Sequence, residues 1–351
     1  MTENQALQRI DGGGGVGQPL PTRPGLHQLV DMTVAGYPSK DTRRVYTSRI
    51  LRWLASTEVG EWGLSRESVY RYLVRLDGEG QSVSAINQVQ AAINAFVREC
   101  EARELVGSVE AQSVYGVRLR GRRPKQSKKG RWLDKGEVGR LIEAQAAETA
   151  SDLVANSDSE RGKEVSRVLE LERARDGALL AMLLGCGLRR SEAVGVRWEQ
   201  YRQIDGRMCL VDVLGKGAKL STLPVPDWGV ELMDTWEVEG REGLGREEGD
   251  YVLCRVSGKE VRGLVKGGEK PLSSEWVRQR VVKMVARAGV EGKVNPHDLR
   301  RTLAQLMRAA GVELEQVKEV LRHDSVRTTE RYLGGGMELE KGKAGVDRVD
   351  W

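Results

Sequence analysis

The chain has 351 residues, with 56 Lys and Arg against 51 Asp and Glu, a net charge of +5, and 39% hydrophobic residues. This balance fits a soluble globular chain long enough for two cores rather than a disordered one. No apolar run reaches the length of a membrane span, and the N-terminus lacks a basic start followed by an apolar stretch, so a cytoplasmic protein is expected.

Residues 1–24, rich in Gly, Pro and Gln, read as a flexible tail. Residues 25–117 read as a small helical domain. In TRRVYTSRILRWLAS, Val45, Ile50, Leu51 and Leu54 fall near one face. Ser65 is placed to cap the next helix, and Ile86, Val89, Ile93, Phe96 and Val97 recur at helical spacing in a third. Residues 118–131, RLRGRRPKQSKKGR, hold Arg118, Arg120, Arg122, Arg123, Lys125, Lys128, Lys129 and Arg131 with no acid between them. A polyanion attracts such a stretch without reading sequence; a solvated linker extended by self-repulsion is the alternative.

A second domain spans 132–335. WLDKGEVGRLIEA reads as helix, 145–170 as a polar insertion, and RDGALLAMLLGCGL as a buried helix. Two strands, about 207–214 and 219–225, flank a glycine-rich turn carrying Lys216. In NPHDLRRTLAQLMRAAG, Asn295 caps a helix, Pro296 opens it and Gly311 stops it, with Leu299, Leu303, Leu306 and Ala310 as the expected buried stripe. LEQVKEVLR is a further helix, and a last one starts near Ser325 and contains Tyr332. Residues 336–351 form a C-terminal tail.

Cys100, Cys186, Cys209 and Cys254 are scattered and read as buried free thiols. With only His27, His297 and His323 in the chain, a multi-histidine metal site is not expected, and no cofactor loop is present. His297 and Arg300 are one helical turn apart and suit an anionic oxygen, although a histidine near an arginine on a surface is common. Arg189 emerges from an apolar helix with Glu192 three residues on, as either a supported functional arginine or a structural ion pair. Lys216 at a hairpin tip is ambiguous in the same way.

Taken together, GLRRSE, GKGAK, HDLRRT and LRHDSVRTTERY resemble the catalytic domain of the tyrosine recombinases, the phage integrase family. The match runs over about 132–335, and 25–117 resembles the family's core-binding domain. The resemblance implies a mainly α fold with a small antiparallel sheet, two domains clamping DNA like a C, and a metal-free DNA strand transferase. It places Arg189 and Arg300 on the scissile phosphate, Tyr332 as nucleophile, His297 as base and Lys216 as general acid. His323 would bond the phosphate and Glu192 would support the arginines. It further implies a double-stranded recombination site, a homotetramer on two duplexes joined through tails such as 336–351, and accessory factors in some members. Integration of a mobile element is the expected job, with resolution of chromosome or plasmid dimers as the alternative.

Three departures stand out. Arg322 occupies a position where the family commonly has glycine, Arg301 replaces a frequent histidine, and 145–170 is long. A type IB topoisomerase shares the chemistry, but the compact His-x-x-Arg box and the helical region 25–117 favour a recombinase. A non-catalytic DNA-binding relative would not need every catalytic position filled. A metal-dependent transposase would need clustered carboxylates, and none is evident.

Overall fold

A computed structural model describes residues 23–119, 131–146, 159–215, 219–245, 247–263 and 268–333. The chain divides into two compact units, with the boundary between Ser127 and Lys128. Tail residues 1–22, most of the basic stretch, Lys216, the middle of the expected insertion and the C-terminal tail lie outside the described residues.

The first unit is helical: α1 (Arg23–Ala35), α2 (Lys40–Leu54), α3 (Thr57–Trp62), α4 (Arg66–Gly78), α5 (Val83–Ala102) and α6 (Ser108–Tyr115). Serine hydroxyls cap three of them. Ser39, Ser65 and Ser82 each accept a backbone N–H from the first turn of α2, α4 and α5, satisfying donors that a helix start leaves open. The periodic residues of α5 are buried as expected, and Phe96 meets Trp53 edge to face at 6.3 Å between ring centroids. Of the expected face of α2, Ile50 is fully buried beside Trp53, while Val45, Leu51 and Leu54 are only partly buried.

The second unit starts with α7 (Lys135–Ala146) and a long helix, α8 (Glu160–Leu180). Here the reading of 145–170 as a polar insertion is corrected. Its part from Glu160 onward is the solvent-facing first half of α8, whose second half is the buried run. Polar residues at an exposed helix surface look like loop in sequence. The run ends in a π-turn, Ala181–Gly185, and leads to the four-residue helix α9 (Arg190–Ala193).

Three strands follow in the order β1 (Tyr201–Ile204), β2 (Arg207–Leu214) and β3 (Leu220–Pro224), all antiparallel. The register slips between Leu210 and Val213, where Asp212 has φ +51°, and the Gln200 amide donates to the carbonyls of Val211 and Asp212. Such a bulge bends a hairpin and re-aims its tip. Helices α10 (Asp227–Leu244), α11 (Gly258–Val261), α12 (Ser274–Arg287), α13 (Pro296–Ala309), α14 (Leu314–Leu321) and α15 (Val326–Leu333) complete the unit.

A buried ionic network ties α8 to α12. Asp176, fully buried, accepts from Arg280 Nε at 2.5 Å and Arg287 Nη2 at 3.0 Å, while Arg175 donates to the Cys254 carbonyl at 3.0 Å and stacks on Trp276. Buried charges persist only when paired and hydrogen-bonded in this way. All four cysteines are free and buried, and burial raises the Cys100 and Cys186 thiols to about 12, leaving them inert. Among the described residues no helix is long and apolar enough to cross a membrane.

Candidate nucleic-acid strand-transfer site

Four segments distant in sequence meet at one place: the turn 187–192, the base of the β2–β3 hairpin, the start of α13 and the loop between α14 and α15. Arg189 sits at the cap position of α9. Its backbone N–H donates to Glu192 Oε2 at 2.7 Å, its Nη1 donates to Glu192 Oε1 at 2.6 Å, and its Nη2 reaches the carbonyl of Arg322 at 3.3 Å. Glu192 closes its own helix start and fixes the guanidinium at once, because residues i and i+3 share a helical face.

Arg300, on α13, is buried. It donates to the carbonyls of Gly187 and Leu321, so one guanidinium stitches the turn before Arg189 to the end of α14. Gly187 has φ +62°, and a Cβ there would come within 2.9 Å of Leu303. Only glycine lets the turn approach α13 this closely. The stripe of α13 differs from the expected one. Leu299, Arg300, Thr302 and Ala304 are buried, Leu306 is partly buried and Ala310 is exposed. The helix buries Arg300 among Leu299, Thr302 and Ala304, while Leu303 is partly buried, and a hydrophobic pattern does not reveal a buried arginine.

His297 lies on the open side of α13. The protein around its ring strips away water, and Arg300, Arg301 and Arg189 add positive charge, so its pKa falls below the ordinary value. His323 feels the same forces more strongly. Partial burial first, then Arg300, Arg189 and His297, lower it to about 4, so the ring is neutral near pH 7. Its Nδ1 lies 3.0 Å from Oγ1 of Thr329, which is fully buried on α15. With Nδ1 accepting from that hydroxyl, the neutral ring carries its proton on Nε2.

Two contacts put the hairpin beside these groups. The position a Cβ would take on Gly215 is 3.9 Å from Glu192 Oε1, and Lys219 Nζ is 3.7 Å from Asp324 Oδ1, next to His323. Lys216 itself lies outside the described residues. Tyr332 lies on α15, whose end is held by a hydrogen bond from the Gln305 amide to the Leu333 carbonyl at 2.9 Å. The structure therefore brings Arg189, Glu192, Arg300 and His323 together, with His297 on the adjoining face.

Of the basic stretch, two members are described. Arg131 is engaged within its own unit by Glu137 and the Glu291 carbonyl, and Arg118 donates to the Val117 carbonyl at 2.9 Å. Arg120, Arg122, Arg123, Lys125, Lys128 and Lys129 lie outside the described residues. Sequence reasoning missed two participants, Thr329 and Arg322. The signal for Arg322 was visible, a charged residue where the resemblance leads one to expect glycine. Among the described residues no cluster of three or more His, Cys, Asp or Glu is arranged to hold a metal ion.

The model of the phage integrase family matches residues 148–335, more than half of the chain. The chain belongs to the phage integrase family, the tyrosine recombinases. It is 29% identical over 201 residues to tyrosine recombinase XerC of Bifidobacterium longum (strain DJO10A), covering 57% of this chain and 55% of that one. The match thus spans about half the length of that relative. It is 25% identical over 302 residues to tyrosine recombinase XerC of Corynebacterium efficiens, covering 86% of this chain and 80% of that one. Among solved structures, the XerH site-specific recombinase bound to palindromic difH substrate in a post-cleavage complex is similar in fold. The TM-score is 0.64 at 17% identity, over 92% of this chain and 84% of that one.

Proposed function

We propose that this chain is a site-specific recombinase that cleaves and rejoins duplex DNA through a 3′-phosphotyrosyl intermediate. The observation that carries the reading is the convergence of Arg189, Arg300 and His323 on one site, each fixed by a buried partner. Donors held in advance where charge develops lower the barrier to phosphoryl transfer, because nothing need reorganise as the charge appears.

In this reading Arg189 and Arg300 bind the non-bridging oxygens of the scissile phosphate. The Tyr332 phenol oxygen attacks phosphorus in line, and its proton passes to His297, whose pKa is lowered first by burial and then by its cationic neighbours. The bond from phosphorus to the 5′-oxygen breaks, and Lys216 supplies that oxygen with a proton. His323 donates Nε2–H to the phosphate. Attack by a 5′-hydroxyl on the phosphotyrosine reverses the step and joins strands, so no high-energy cofactor is consumed. The positive charge comes from side chains, and adduct formation is expected to survive a chelator.

The substrate is a double-stranded recombination site. The assembly is a homotetramer that pairs two duplexes through a Holliday junction, with DNA-bending or directionality factors as further partners. Residues 25–117 serve as core-binding domain, 118–131 as linker along the duplex, 132–335 as catalytic domain and 336–351 as exchanged tail. Mobile-element integration or excision is the first job considered. Dimer resolution, of chromosomes or plasmids, is the second.

The test is covalent trapping. Wild type and Tyr332→Phe are incubated with fragmented DNA of the source organism in EDTA and denatured, and protein-linked DNA is sequenced. Adducts that require Tyr332 and cluster at one sequence are expected. Adducts at the ends of an integrated element support mobilisation, and adducts at one locus remote from any such end support dimer resolution. DNA binding with no adduct would overturn the proposal.

A further inference from the structure

Arg322 caps the end of α14 in the left-handed region, at φ +51° and ψ +50°. Residues with a Cβ avoid this region, and glycine or asparagine is the usual occupant of such a helix end. A charged side chain there needs a reason. The Arg322 side chain turns inward and is nine-tenths buried. Its Nη2 donates to Glu192 Oε2 at 2.6 Å, sharing the oxygen that accepts the Arg189 backbone N–H. Its own carbonyl accepts from Arg189 Nη2, and its Nε and Nη1 are buried with no hydrogen-bond partner among the described residues. Burial pulls its pKa down, Glu192 pulls it back up, and Cys186, fully buried, is close enough to contribute.

Arg322 is therefore a cation set beneath the Glu192 carboxylate, facing the core. It is not one of the groups that face the phosphate. One carboxylate is held between two guanidiniums, Arg189 on the open side and Arg322 on the buried side. A carboxylate held from one side only can swing with its partner; held from both sides it is fixed.

Resting on the strand-transfer reading above, we infer that Arg322 is a positioning residue: it fixes Glu192, and through Glu192 and its own carbonyl fixes Arg189 for the scissile phosphate. Two strained or unsatisfied features, a left-handed arginine and two buried guanidinium nitrogens without a partner among the described residues, are then retained for the sake of the site, as strain often is where function requires it.

The experiment compares full-length wild type with Arg322→Gly, Arg322→Lys, Glu192→Gln and the Arg322→Gly/Glu192→Gln double variant. The probe is pooled, fragmented source DNA. Adduct formation over time is read on denaturing gels, and DNA retention by gel shift. Glycine suits the left-handed backbone, so the Gly variant keeps the helix end and loses only the side chain. Its adduct rate is expected to fall about tenfold or more, as for other groups that orient a reacting residue. Retention should stay within about twofold, and lysine should recover most of the rate, because a cation beneath Glu192 is what matters. In the Glu192→Gln background, removing Arg322 should cost less than about twofold more, since both act on the same arginine. A Gly variant that cleaves at the wild-type rate overturns the inference, as do losses that simply multiply in the double variant or lysine performing no better than glycine. Absence of adducts from wild type would instead sink the strand-transfer reading itself, so the two failures are distinct.

Discussion

Arg300 and Gly187 are 113 residues apart in sequence, and the buried Arg300 guanidinium donates to the Gly187 carbonyl. That bond sets the turn from which Arg189 projects. The second donor of the same guanidinium takes the Leu321 carbonyl, immediately before Arg322 and His323. One arginine thus holds the two backbone segments that carry the other cationic groups of the site.

Replacing Gly187 with alanine tests this arrangement. A Cβ at φ +62° is strained and would meet Leu303 Cδ2 at 2.9 Å, so the Leu303 side chain or the turn that gives its carbonyl to Arg300 must shift, and the backbone strain favours a shift of the turn. A stability loss of about 2 kcal/mol is expected in urea denaturation, from backbone strain plus overpacking. Adduct formation should fall by about tenfold or more, since small displacements of positioned groups are costly to catalysis. A variant that is destabilised but cleaves normally would show that the turn matters for folding only.

Much of this site was legible because its links are local. Arg189 and Glu192 are three residues apart and so are His297 and Arg300, so a helical period brings each pair together before any tertiary fact is known. The hairpin was legible from its glycines. What escaped was long-range. β1 is four residues with a buried tyrosine and three exposed positions, too short to announce itself, and its partner is supplied by β2. The inward turn of Arg322 depends on a carboxylate 130 residues earlier in the chain. The first half of α8 reads as a polar insertion because its few apolar residues are set among charges: Val165 and Leu169 stay exposed and only Val168 packs on the core.

Thr329 offers a second test. It is fully buried, and its hydroxyl is the partner of His323 Nδ1. Thr329→Val keeps the volume and removes that bond, freeing the imidazole to take the other tautomer or turn. Adduct formation should fall by about tenfold with folding cost limited to roughly 1 kcal/mol, whereas Thr329→Ser should retain most activity. Equal rates for Val and Ser would remove Thr329 from the site.

The low pKa of His323 predicts a pH dependence of stability. Its folded value, about 4, lies below the ordinary 6.5 of an unfolded chain. Above pH 6.5 both states are neutral and the full stability is present. As pH falls from about 6.5 to about 4 the unfolded chain takes up a proton that the folded one refuses, so stability falls, on the order of 2 kcal/mol once partial solvation of the ring is allowed for. His297 acts in the same direction. Urea midpoints of wild type and His323→Gln between pH 7 and 4.5 isolate the share of His323, because glutamine does not titrate. The variant should lose distinctly less stability on acidification, and parallel curves would refute the assignment.

The ionic network around Asp176 predicts a loss of a different kind. Its carboxylate, fully buried, faces Arg280 at 2.5 Å, Arg287 at 3.0 Å and Arg175 at 3.6 Å. An intact buried ion pair contributes little net stability, because desolvation offsets the attraction. Removing Asp176 is another matter, since Arg280 and Arg175, both buried, then keep only the partly exposed Glu172, at 3.2 Å from each, as counter-ion among the described residues. Asp176→Asn keeps the shape and deletes the charge under three guanidiniums, and should cost about 3–5 kcal/mol in denaturant unfolding. Adding Arg280→Met to that variant should recover part of the loss by removing one stranded cation, which a simple packing defect would not do. Recovery in the double variant identifies charge balance as what holds α8 against α12; further destabilisation would mean that the arginine packs independently of its partner.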